Sequence, residues 1–139
     1  MKALLLLELL AAITLAAAGP PSLASTIRAS KWKKRVLLVA APRASEAAFR
    51  QQKQLLAPAG SQLGERDLLV LDVLHDHLAP ADRQYLRHDL GLHLTGFEVV
   101  LIGKDGGVKQ RSTQPLAPAA LFGTIDQMPM RRQEMRQGH

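Results

Sequence analysis

The sequence predicts one α/β domain, a four-stranded mixed sheet with helices on both faces in the order β-α-β-α-β-β-α. Three observations predict it. The apolar runs RVLLVAA at 35–41 and LLVLDVL within 64–74 are too short for core helices and suit buried neighbours in a parallel sheet. A helical stretch lies between them at the spacing of a βαβ crossover, which should be right-handed. A third run, FEVVLIG at 97–103, meets KDGG and then the shorter, more polar VKQRS at 108–112, the pattern of a hairpin. The 139 residues are 47% hydrophobic but only 4% aromatic, so Leu, Val, Ile and Ala must fill a single core.

Each element has its own local reason. MKALLLLELLAAITLAAAG opens with Lys2, continues as an apolar run and ends in small residues. That is the three-part pattern of a secretory signal peptide over 1–18, with cleavage expected near 18–24. Glu8 interrupts the run, and an uncleaved N-terminal anchor is the competing reading. The stretch 19–30, GPPSLASTIRAS, reads as a linker, and 31–128 as the domain. Pro42 ends the first strand. Ser45 can cap a helix over 46–56 that sets Phe49, Gln52, Lys53 and Leu56 on one face, and Pro58 and Gly60 close it. The second strand, centred on 68–73, is expected to be buried like the first. Pro80 suits the first turn of a helix over 79–91, and Gly91 its C-terminal cap. Pro118 opens a last helix whose stripe is Leu121, Phe122, Ile125 and Met128, and Pro129 stops it. The basic tail 129–139 reads as a loose helical turn or as disordered.

This element order is that of the thioredoxin-like fold. Four stretches carry a closer resemblance: Trp32 and Arg35 leading into RVLLVAAP, GERDLLVLDV, LIGKDGGVKQRS and LFGTIDQMPMRRQEMR. Together, over about 31–136, the chain resembles a family of exported bacterial domains catalogued as domain of unknown function 4174. That family is related to domains in sushi-repeat and other extracellular matrix proteins. The resemblance implies a thioredoxin-like or peroxiredoxin-like fold and an exported location. It supplies no catalytic residues and no established activity.

Composition narrows the chemistry. Thioredoxins place two cysteines after the first strand, and here that loop reads APRAS in a sequence with no cysteine. The proline that thioredoxins use before the third strand is also absent from LHLTG at 92–96. Thiol–disulfide exchange, thiol peroxidase activity, thiolate metal sites and Fe–S clusters are therefore excluded for these residues. Ser45 is no substitute, because an alcohol forms no mixed disulfide and needs an activating base. No motif calls for a cofactor, and the reading that follows is a binding module with PRASE at 42–46 as a recognition loop.

The net charge is +6 and sits at the flanks. Residues 28–35 carry Arg28, Lys31, Lys33, Lys34 and Arg35 with no acid among them, and Arg131, Arg132 and Arg136 face only Glu134. The body between carries nine basic and ten acidic residues, unlike the basic stripe of a nucleic-acid domain. The flanks serve solubility or meet an anionic surface or an acidic envelope or extracellular protein. Arg43, Arg66 and Arg111 are candidate anion contacts, with Arg66 also able to pair with Asp67 or a helix carboxylate. Met130, with Met135, is a candidate partner contact. Trp32 reads as a lid on the core, or alternatively as an interfacial anchor between cations. The alternative function is a metal-dependent enzyme or metal-binding protein using His75, Asp76 and His77, whose imidazoles would point the same way from a strand end.

Overall fold

In a computed structural model, which describes residues 19–138, the chain forms six α-helices and four strands in one continuous arrangement. They are α1 (Leu23–Ser30), β1 (Arg35–Ala41), α2 (Ala47–Leu56), α3 (Gly60–Glu65), β2 (Leu68–Leu74), α4 (Pro80–His88), β3 (Glu98–Ile102), β4 (Val108–Ser112), α5 (Pro118–Asp126) and α6 (Pro129–Arg136). The 1–18 stretch and His139 lie outside the described residues. No helix among the described residues is long and apolar enough to cross a membrane.

The sheet order is β2-β1-β3-β4, with β1 parallel to β2 and antiparallel to β3. β1 is an inner strand buried along its whole length, which its unbroken apolar run anticipates. Alternation along it splits the core in two. Leu37, Val39 and Ala41 pack with Phe49, Leu56, Leu121, Phe122 and Ile125 from α2 and α5. Val36, Leu38 and Ala40 pack with Ile27 of α1, Leu86 of α4 and the loop leucines 90, 92 and 94. Helices thus cover both faces, and the expected mixed sheet is present.

Four expectations need correction. β2 is an edge strand and only partly buried, so Asp72 stands exposed and pairs with Lys53 at 2.8 Å. α2 ends at Leu56, just ahead of Pro58, but the chain does not leave helical structure there: a 3-10 turn at Ala57–Ala59 leads into α3. The 19–30 stretch is not a linker: α1 lays Ala24 and Ile27 into the core, and Asp82 of α4 accepts from the Leu23 and Ala24 amides at 3.3 and 3.0 Å. α5 ends ahead of Pro129, but the tail is neither a loose turn nor disordered: Pro129 occupies the first turn of α6, where its missing N–H costs nothing. The 129–138 segment is thus part of the domain.

Candidate functional site

The carboxyl ends of β1 and β2 are where an open α/β sheet usually holds its ligand. Residues 42–46 form the loop there. Ser45 is exposed and does not cap α2, whose N-cap position falls on Glu46 and has no side-chain bond. Arg43 is 75% exposed, 3.9 Å from Asp76, a separation worth little in water. After Leu74 the chain coils into a 3-10 turn at His75–His77, so the two imidazoles do not share a direction as residues of a strand would. His75 is buried, and its carbonyl accepts from Arg83 Nη2 at 2.6 Å, whereas His77 is exposed. Burial, then the Arg83 charge, lowers the His75 pKa. Among the described residues no group of three or more His, Cys, Asp or Glu side chains gathers to hold a metal ion.

Next to this loop, β3 opens with buried Glu98. It accepts from the His93 amide at 3.1 Å and lies 3.4 Å from His93 Nδ1. Arg111 of β4 donates to the carbonyls of Leu90 and, at 3.3 Å, Gly91, with Glu98 3.9 Å away. These two bonds tie β4 to the loop after α4. Gly91 permits this with φ +70° and no Cβ, since a Cβ there would stand 3.0 Å from Arg111 Nη2.

The opposite end of the sheet is more heavily built. Arg35, at the start of β1, is 0% exposed and donates through Nη1 to the Arg66 carbonyl at 2.9 Å and to Glu134 of α6 at 3.1 and 3.3 Å. Lys104, just past β3, donates to Asp67 at 2.9 Å and also to Glu134. Arg66 grips Asp126 with Nε and Nη2 at 3.0 and 2.9 Å and lies over Phe122. Arg131, 2% exposed, reaches the same Asp126 at 3.1 Å and the Glu65 carbonyl at 3.3 Å. Arg66 and Arg131 are consequently not surface contacts: the first pairs with a helix carboxylate, and the second is drawn inward by α6. For Glu134 and Asp126 burial opposes ionisation, but the cations donating to them outweigh it and hold both pKa values below the ordinary range. The Lys104 hydrogen bond does the same for Asp67.

These pairs bring the two basic flanks together. The Trp32 amide donates to the Lys104 carbonyl at 2.6 Å, holding the 31–34 turn against the β3–β4 hairpin. Trp32 is no core lid. It is 61% exposed at φ 67°, a left-handed conformation that is strained for a bulky side chain. The other exposed large apolar side chains, Met130 and Met135, lie on α6, which Glu134 ties to the same end. Around them Lys33, Arg132 and Arg136 have no ion-pair partner among the described residues.

Arg35, Glu65 to Asp67, Lys104, Asp126, Arg131 and Glu134 all fall within residues 26–134, which match the family described as Domain of unknown function (DUF4174). The chain belongs to this family. The chain is similar, at 32% identity over 114 residues, to the human Sushi repeat-containing protein SRPX, covering 74% of this chain and 25% of that protein. It is 28% identical over 140 residues to Coiled-coil domain-containing protein 80 of Danio rerio, covering 84% of this chain and 16% of that protein. The chain thus spans a quarter or less of these relatives' length. Among solved structures it resembles the reduced 2-Cys peroxiredoxin of Plasmodium vivax, with a TM-score of 0.55 and 15% identity, over 81% of this chain and 84% of that one. That likeness establishes the thioredoxin-like fold.

The sequence reading missed the network because it weighed each Arg separately. The available signal was that every member sits in one of the four stretches that carried the resemblance.

Proposed function

We propose that this DUF4174 chain is an exported, non-redox binding domain that meets an acidic protein or anionic surface through its Trp32-bearing end. The observation that carries the reading is Trp32 itself: exposed, in a strained turn, between Lys31, Lys33 and Lys34. Strain that packing does not reward points to a role at the surface. A tryptophan among cations offers an apolar body with charge around it, a combination favoured at contact hot spots. Export rests on the signal-like pattern of 1–18. The absence of cysteine removes thiol chemistry from the scaffold without removing its surface.

The test is in-cell crosslinking with the native N-terminus, followed by mass spectrometry. The expected result is crosslinks from Lys31, Lys33 or Lys34 that disappear in Trp32→Gly. Glycine accepts the positive φ, so this variant keeps or gains up to about 1 kcal/mol of stability, and lost capture cannot be blamed on unfolding. A partner that survives high salt identifies a protein, and a diffuse set that washes off identifies an anionic surface. Unchanged capture by Trp32→Gly would overturn the reading. If Arg43→Ala/Ser45→Ala lost the partner instead, the 42–46 loop would be the contact.

A further inference from the structure

A small cavity of about 150 Å³ opens at this same end, beneath the start of α6. Its wall includes Arg35, Lys104, Lys109 and the acid Asp105, together with residues 128–130. We propose that it is a binding site for a single oxyanion group, presented with two oxygens side by side. This deepens the binding reading above, on which it rests for its biological use, by naming the chemistry recognised.

Three independent features support it. The first is Arg35. Its Nη1 is taken by Glu134 and the Arg66 carbonyl, but Nε and Nη2 are buried without an acceptor. Those two nitrogens form the edge of the guanidinium that fits a carboxylate, sulfate or phosphate bidentately. Arg66 uses that very edge on Asp126. A buried charged donor left unmatched is costly, which makes a matching acceptor favourable. The second is Lys109. The β3–β4 register slips between Leu101 and Ile102, so that Ile102 pairs with Val108 and Leu101 with Gln110. Such a bulge re-aims a side chain, and the Lys109 stem lies across Gly103, where a Cβ would meet its Cε at 2.6 Å. The third is α6, an eight-residue helix whose N-cap, Met128, offers no side-chain acceptor to the first turn. Its N-terminal partial positive charge faces the same space as the two lysines.

Three acids moderate the site. Asp105 holds Lys109 at 2.8 Å, Asp67 holds Lys104 at 2.9 Å, and Glu134 holds Arg35 and Lys104. Charge is therefore balanced, and affinity rests on the buried, unmatched guanidinium edge rather than on a strong field. One such group should bind with a Kd on the order of 1–10 mM, strengthened when it is carried by a larger partner that also meets Trp32.

The measurement is the Arg35 Nε–H resonance in ¹⁵N-labelled protein purified from cells expressing the full chain. It is titrated with sulfate, inorganic phosphate and acetate against chloride at constant ionic strength. The expected result is a saturating shift with at least one oxyanion and none with chloride. The tightest of the three tells a tetrahedral ester from a carboxylate. Lys109→Gln, which leaves the Arg35–Glu134 pair intact, should weaken the midpoint at least threefold. No saturating shift, an equal response to chloride, or an unchanged midpoint in Lys109→Gln would overturn the proposal. Anion binding without partner capture would leave the pocket standing and remove the surface reading, and the converse result would do the reverse.

Discussion

Arg66 lies with its guanidinium 4.1 Å from the Phe122 ring centre and both free edges committed, to Asp126 and to the Gln62 carbonyl at 3.1 Å. Truncating it strips one partner from a partly buried carboxylate and uncovers an aromatic face. Arg131 still reaches Asp126, so the loss is smaller than for an isolated buried pair. Arg66→Ala should cost about 2 kcal/mol in urea unfolding. Arg66→Lys should recover little, because an ammonium can neither fork onto two oxygens nor stack as a plane. Arg43→Ala should change stability by less than about 0.5 kcal/mol, since its only ion pair among the described residues is exposed and long. Equal urea midpoints for Arg66→Ala and Arg43→Ala would refute this assignment of roles.

At the scale of elements, Asp82 shares with Ser22 the capping of a helix far away in sequence. Its carboxylate accepts from the first amides of α1 while lying in the first turn of α4. Asp82→Ala should therefore cost about 1 kcal/mol and raise amide exchange across Leu23–Ser30 more than across α4. Exchange that rises equally in both helices would show that α1 is held by its apolar contacts alone. The same contact explains why α1 was not legible in the sequence. Pro and Ser before it, and its short length, signal a linker locally; Ser22 caps the helix by accepting from the Ser25 amide at 3.1 Å, but its first two amides are satisfied by a side chain 58 and 59 residues away. α6 was hidden for a similar reason. Pro129 reads as a stop, and the helix is held by Glu134 bonding to Arg35, 99 positions earlier. The strands were legible because burial is written into each run locally, as in Val99 to Ile102. Which strand lies at an edge was not, since that depends on sheet order. Of the candidate site, the basic flanks and Met130 could be read, but not their meeting at one end. Trp32 reads as a lid on the core because an exposed tryptophan at positive φ has no local signature.

For the whole molecule, stability against acid follows from two kinds of group with the same sign. The folded pKa of His75 is lowered by burial, with Arg83 adding to the effect and Asp76 and Glu98 opposing it. The unfolded chain therefore takes up a proton first, near an ordinary imidazole pKa of about 6.5, and stability falls as pH drops below that value until the folded pKa is reached. Asp67, Asp126 and Glu134 also have lowered folded pKa values. Their contribution is complete above the unfolded carboxyl range of about 4 and is lost as pH falls through the folded values. A plot of Tm against pH should thus decline in two stages, a shallow one below about pH 6.5 and a steeper one below about pH 4. His75→Gln should flatten the first stage and leave the second. Glu134→Gln should lower Tm at neutral pH, by weakening the tie of α6 to Arg35 and Lys104, and flatten the second stage. If Glu134→Gln kept both the neutral Tm and the full acid decline, the ion pairs that join the two flanks would not be what holds that end together. The Trp32 surface and the Arg35 pocket would then lose their common frame.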